Sequence, residues 1–345
     1  MHAIGKTFAA STHLKQLDLS RNNGIGNDGL ESFANAANES AQHDVAALSM
    51  LEKVILSDCN IGPTGIQSLS EFILGSNESK RSKPIDLTIS CNPIGSQGCG
   101  FISNLCSIPD RGSLVSQLHM SQCSIGDDGL KLLSNAATSN AAFSGLSVLD
   151  ISENSITKDG IKTFAQSLVE SWPNLVELKI AKNELDDESL TSLMKSLITR
   201  SDGASEEQTD KKNSTLKNLD MSCTTCGIEG AKAALMSGGI TTLRLFNNRL
   251  GSDGFHSIAP LLQGGHPSIE NLDLGGNSAD EVSVVALLHA IAEKDGCGFI
   301  SKLCVLEIGG NKFGDDAAEA LKKLKLVYPK LDVAHDKPVK EAVEE

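Results

Sequence analysis

One pattern recurs along this chain and leaves little choice of architecture: L-x-x-L-x-L-x-x-N/C-x-L, with other aliphatic residues standing in for Leu. Clear copies are Leu146-x-x-Leu149-x-Ile151-x-x-Asn154-x-Ile156 and Leu175-x-x-Leu178-x-Ile180-x-x-Asn183-x-Leu185. Copies begin near residues 14, 51, 84, 115, 146, 175, 216, 240, 269 and 303, and Tyr328-x-x-Leu331-x-Val333 adds a last fragment. The L-x-L piece has period 2, so both leucines face one side of a short strand. The second half has helical spacing, as in Gly160-Ile161-x-x-Phe164-x-x-x-Leu168. One strand and one helix cannot bury their apolar faces alone, but stacked neighbours can.

The expected fold is therefore an α/β solenoid of about ten repeats, with a parallel inner sheet and outer helices. The repeats average roughly 30 residues, at the long end of the usual range. In this respect the chain resembles the ribonuclease-inhibitor class of leucine-rich repeat proteins over nearly its whole length, which implies a horseshoe. The Asn column, joined by Cys59 and Cys123, sits where the chain leaves each strand. Its amides can satisfy backbone groups freed by the turn. We expect a single domain over 1–336, a mobile polar loop inserted at 201–214, and a charged, frayed tail at 337–345. Ile4-x-x-x-Phe8-Ala9 reads as the helical half of an earlier repeat, so the N-terminal cap is short or missing.

Composition narrows the function. Asp and Glu number 44 against 30 Lys and Arg, for a formal charge of −14. That balance argues against nucleic acid and membrane surfaces. Aromatics make up 3% of residues, too few for a single-strand stacking platform. No apolar run reaches the length of a transmembrane helix, and Met1 to Ala10 lacks a signal-peptide core. The expected location is the cytoplasm, with the nucleus as the second compartment, and the expected state is a monomer.

Several motifs look like chemistry. Gly24-Ile25-Gly26-Asn27-Asp28-Gly29 fits a dinucleotide fingerprint. The same I-G-x-x-G rhythm recurs at Ile94-Gly95-x-x-Gly98, Ile125-Gly126-x-x-Gly129 and Leu250-Gly251-x-x-Gly254, so the glycines belong to the repeat. Gly5-Lys6-Thr7 reads as a helix start, because a phosphate loop needs an earlier glycine. The acid pairs Asp127-Asp128, Asp186-Asp187 and Asp315-Asp316 stand at helix starts, where acids cap free N–H groups. Cys223-x-x-Cys226 has no second ligand pair, so no metal is expected. The nine cysteines read as free, mostly buried thiols, and Trp172 as a packing residue. No cofactor and no catalytic residue is assigned.

The residues between the two strand leucines should project onto the concave face. They include Asp18, His119, Asp150, Lys179, Asp220, Arg244, Asp273 and Glu307, with acids outnumbering bases. The next outward column is mostly serine, and Phe246 breaks it. An exposed ring beside Arg244 has the composition of an interface hot spot. The column reads either as a solvated acidic face or as the surface for a basic or polar protein partner. We therefore expect a non-enzymatic protein-binding scaffold. The I-G-x-x-G rhythm and acidic balance also resemble the Ran GTPase-activating proteins, which implies, as the alternative, activation of a small GTPase.

Overall fold

The computed structural model describes residues 1–11, 13–40, 50–75, 84–106, 113–140, 142–202, 215–293 and 298–336. Most of the expected 201–214 loop and the 337–345 tail lie outside these residues. The described chain divides into two compact units, Met1–Lys179 and Ile180–Glu345. Each is an α/β repeat solenoid.

The first unit contains six strands: β1 (Gln16–Asp18), β2 (Lys53–Ile55), β3 (Ile85–Thr88), β4 (Val115–His119), β5 (Val148–Asp150) and β6 (Glu177–Lys179). All neighbours pair in parallel, with Leu17, Val54, Leu87, Leu118, Leu149 and Leu178 in one register row. The register slips once, between β3 and β4, where Ser116 is extra and its hydroxyl donates to Asp86 Oδ1 at 2.9 Å. Helices α1 (His2–Ala9), α2 (Gly26–Ser40), α3 (Pro63–Gly75), α4 (Gly95–Cys106), α5 (Gly126–Asn140) and α6 (Lys158–Ser171) supply the second layer.

The second unit repeats the plan with β7 (Asn218–Asp220), β8 (Thr242–Arg244), β9 (Asn271–Asp273), β10 (Val305–Glu307) and β11 (Asp332–Ala334). Leu219, Leu243, Leu272, Leu306 and Val333 form its register row. Its helices are α7 (Asp187–Asp202), α8 (Ile228–Met236), α9 (Gly251–Ile258), α10 (Glu281–Ala292) and α11 (Asp315–Val327). Helix α7 runs through Ser201 and Asp202, the first two residues of the expected loop.

The core sits between sheet and helices, as the two periodicities require. In α6, Ile161, Phe164, Ala165 and Leu168 are buried while Lys162 and Gln166 are exposed, so one helical stripe faces the strands. Trp172 is fully buried. It stacks on Phe143 at 4.4 Å between ring centres and meets Phe164 edge-on at 5.2 Å, while its indole N–H donates to the Ser167 hydroxyl. It is a packing residue. Among the described residues, no helix is long and apolar enough to cross a membrane.

The polar column is a set of rungs between repeats. Asn92 Oδ1 accepts from the Cys59 and Ile61 N–H groups of the preceding repeat, both at 3.0 Å. Its Nδ2 donates to the Leu56 and Ile89 carbonyls at 2.8 Å. Asn277 and Asn311 do the same in the second unit. Cys59 and Cys123 keep half of this function: their thiols donate to the Leu19 and Ile89 carbonyls of the repeat before.

Two of the three acid pairs cap helices, and the first unit's Asp127 caps the helix of the next repeat. Asp315-Asp316 makes no cap bond among the described contacts, and Glu281 of the preceding helix accepts from Ala317 N instead. Asp127 bonds to the start of α6. Its carboxylate accepts from Thr157 N at 2.8 Å and Thr157 Oγ1 at 2.6 Å. The helices approach so closely that a Cβ on Gly160 would lie 2.4 Å from Asp127 Oδ1, so glycine is required there. Asp187 likewise accepts from Gly227, Glu229 and Gly230 at the start of α8. Asp186 caps its own helix at Ser189 N. Asp128 lies exposed beside Lys131.

Candidate functional site

The sheet face turned away from the helices carries the residues singled out from sequence, in two separate groups. In the first unit, Asp18, His119, Asp150 and Lys179 occupy equivalent places on β1, β4, β5 and β6, the last three in consecutive register. In the second, Asp220, Arg244, Asp273 and Glu307 stand side by side across β7 to β10. The leucines flanking them point into the core, so alternation turns these side chains outward. Asp18, Arg244 and Glu307 are exposed and the rest half-buried.

The recurrent Asp has a structural job. Asp18, Asp150 and Asp220 each accept, through Oδ1, the N–H of the serine two residues on, at 2.9 to 3.1 Å. Asp273 does the same with Gly275 N. Such turns satisfy the strand end and leave the second carboxylate oxygen outside the turn. This explains the L-D-L-S wording of the repeats and fixes where the acids point. Glu307, with a longer side chain, makes no such turn among the described contacts.

Bases on this face have partners. His119 Nδ1 lies 3.9 Å from Asp150 Oδ2, Lys179 Nζ 2.9 Å from Glu177, and Arg244 Nη1 3.8 Å from Asp220 Oδ2. The carboxyl of Asp18 is held below the usual range, chiefly by the Ser20 N–H. Burial works against the charge of Asp150, but the His119 contact and the Ser152 bonds outweigh it and lower its pKa. Asp273 goes the other way. Burial pushes it up, and the nearby Glu307 and Asp220 charges add to that against the Gly275 N–H.

Phe246 is 45% exposed, the out-of-pattern ring that alternation implied. It leans over the glycine pair of the next repeat: a Cβ on Gly275 would sit 3.0 Å from its Cδ2, and one on Gly276 3.3 Å from its Cε2.

Sequence reading missed a second column. Immediately beyond the serines, Arg21, Asp58, Cys91, Gln122 and Glu153 all adopt left-handed backbone, with φ between 55° and 60°. Each of the first four donates its N–H to the next repeat, as Arg21 does to Ser57 O at 2.8 Å. The turn is set by inter-repeat bonding, and the residue types are too mixed to signal it. Side chains of this column and the serines line an open cleft of about 920 Å³ with Asp18, Ser20, Arg21, Ser57, Asp58, Cys91 and Gln122. Of the residues proposed from sequence, only Asp18 touches it. Cys91 Sγ donates to Gln122 Oε1, and Gln122 Nε2 to Glu153 Oε2.

No metal-ligating cluster occurs among the described residues. Cys226 is buried in the core, where burial pushes its thiol up to about 12, and Cys223 is half-buried at the turn.

A family model described as Leucine Rich repeat matches residues 10–34, 47–70, 114–134 and 146–165. A comparison with curated proteins gives no significant sequence match. Among solved structures, an internalin (inlF) from Listeria monocytogenes is similar at 14% identity and a TM-score of 0.46, over 96% of this chain and 84% of that one. Strand, rung and helix repeat with one pattern in both units, and that pattern, with the four matched segments, gives the chain the fold of a leucine-rich repeat solenoid.

Proposed function

We propose that this chain is a non-enzymatic scaffold that binds a basic or polar protein on the open face of its strands. Asp18, His119, Asp150 and Lys179 serve in the first unit, and Asp220, Arg244, Phe246, Asp273 and Glu307 in the second. The observation that carries the reading is the set of Asx turns. Four carboxylates are fixed in direction by a backbone N–H on Oδ1, and the second oxygens of Asp150 and Asp220 meet only the weakly held bases His119 and Arg244 of the same face. Pre-oriented charge loses little freedom on binding and steers encounter with the opposite charge. Leucine-rich repeat solenoids typically serve as binding scaffolds, and stacked repeats offer extended surfaces for it.

The test uses the full chain as bait. Asp150→Asn combined with Asp220→Asn keeps the Oδ1 acceptor, so both turns survive while two charges go. Association with a captured partner should slow by several-fold, and raised salt should slow the wild type similarly. On-rates unaffected by both changes would reduce the acids to turn formers alone. The second reading is GTPase activation, carried by the resemblance of the I-G-x-x-G rhythm. Single-turnover GTP hydrolysis by a Ran-like GTPase separates it: acceleration by the chain would replace the scaffold reading.

A further inference from the structure

We infer that the second unit carries a notch for an arginine side chain of a partner's extended basic segment; this rests on the scaffold reading and names what that face holds. The notch comes from a break in two columns. Where most other repeats place a serine followed by a side-chain-bearing left-handed residue, the ninth has Gly275-Gly276 and the tenth Gly309-Gly310. The glycine pairs stack directly, with Gly276 N donating to Gly309 O at 2.7 Å. Four adjacent positions therefore present backbone alone.

Walls rise on either side of this floor. Phe246 stands at one edge with its ring leaning over the ninth repeat. Asp336 stands at the other, where its Oδ2 accepts from Gly310 N at 2.6 Å. Phe246 follows β8 and Asp336 follows β11, so their backbones lie three strand spacings, about 14 Å, apart, and both side chains reach inward over the glycines. Along the bottom run Asp273 and Glu307, in register on β9 and β10. Arg244, on β8 beside Asp273, leans to Asp220 on the opposite side, and its charge offsets only part of the push on Asp273.

An aromatic face beside several carboxylates selects a cation that is also planar. A guanidinium stacks flat on the ring while its N–H fork meets carboxylate oxygens in pairs; an ammonium is drawn to both as a compact point charge, without the flat stacking or the bidentate fork. A floor without side chains lets a partner's backbone lie flat against the sheet. Burial and the Glu307 charge already push the Asp273 carboxyl up, a penalty that an arriving cation would relieve. The occupant is thus an arginine-bearing basic segment.

The test measures fluorescence anisotropy of labelled hexa-arginine and hexa-lysine peptides with the full chain, across a salt series. Hexa-arginine should bind about fivefold more tightly than hexa-lysine. Phe246→Ala should weaken it about tenfold. Gly309→Gln fills the notch without strain, because the nearest atom to a Cβ there is Asp336 Oδ1 at 3.7 Å. It should weaken hexa-arginine about as much and leave the melting temperature unchanged. Asp18→Asn, in the first unit, should change binding by less than about twofold. Equal affinity for the two peptides, or indifference to both Phe246→Ala and Gly309→Gln, would mean that bulk acidity alone draws them and would overturn the notch. A captured partner that responds to the Asp150/Asp220 pair but tolerates Gly309→Gln would also overturn it, leaving the scaffold reading in place. Arginine selectivity lost in Gly309→Gln, with the acid pair inert toward partners, would do the reverse.

Discussion

Removing one rung should show how much the polar column contributes, and Asn92 is the place to do it. Its side chain is buried at 1% exposure and bonds two repeats together. Asn92→Ala leaves the Cys59 and Ile61 N–H groups and the Leu56 carbonyl without their partner. The Ile89 carbonyl keeps the Cys123 thiol. Each orphaned buried group costs about 1–3 kcal/mol. Three such groups, at the lower part of that range because the turn can relax, give about 3–5 kcal/mol. That is a large fraction of the stability of an ordinary domain. It corresponds to a melting point lower by roughly 10 °C for a unit of this size. Asn92→Cys should cost about half as much. Cys59 and Cys123 show that a thiol at this place still donates to the preceding repeat's carbonyl. The assay is thermal unfolding by circular dichroism, joined to hydrogen exchange of the Cys59 and Ile61 amides. Those two amides should lose protection in Asn92→Ala, while the Asn277 amide, held by Asn311 in the other unit, should not. A loss below about 1 kcal/mol, or a Cys variant as unstable as the Ala variant, would refute the rung as a source of stability.

Two further outcomes follow from buried titratable groups. His266 is buried, with Nδ1 accepting from the Ser268 and Ile269 N–H groups and Nε2 donating to the Leu235 carbonyl, so it is folded in as neutral imidazole. Burial lowers its pKa below 6.5, partly offset by the Leu235 carbonyl. The unfolded chain then binds the proton first, so stability is full above the unfolded pKa and falls as pH drops below it. Urea midpoints should decline from pH 7 to 5 in the wild type, and this slope should flatten in His266→Asn; an unchanged slope would exclude His266 as its source. For the cysteines, burial pushes Cys99, Cys106, Cys123 and Cys226 up to about 12, whereas Cys91 and Cys304 are exposed. Alkylation of the native protein should modify Cys304 and Cys91 well before those four, and denaturation should release nine titratable thiols; early labelling of Cys106 would contradict the packing around it.

Repeat position, strand, helix and rung could all be read from the order of residues, because they depend on spacing within about thirty positions. The L-x-L leucines had to face inward once a strand was assigned, and Leu87, Leu118, Leu149 and Leu178 are indeed fully buried. The same alternation turned Arg244 and Phe246 outward. Contacts between one repeat and the next belong to the tertiary structure alone. Asp127 and Asp187 were legible as capping residues, yet the N–H groups they satisfy lie some 30 to 43 positions further on, across a register that only packing sets. The left-handed column from Arg21 to Glu153 has no residue signature, since its conformation is imposed by hydrogen bonds from the neighbouring turn. The serine and aspartate wording of the open face looked like filler or charge; the folded chain shows Asx turns that serve both strand end and surface. The notch beside Phe246 needed four glycines that are pairwise 34 positions apart in sequence and adjacent only after the strands stack. Local periodicity decides each element, because its dihedrals and faces are properties of short segments. The surface is decided by stacking, because what a side chain meets there belongs to another repeat.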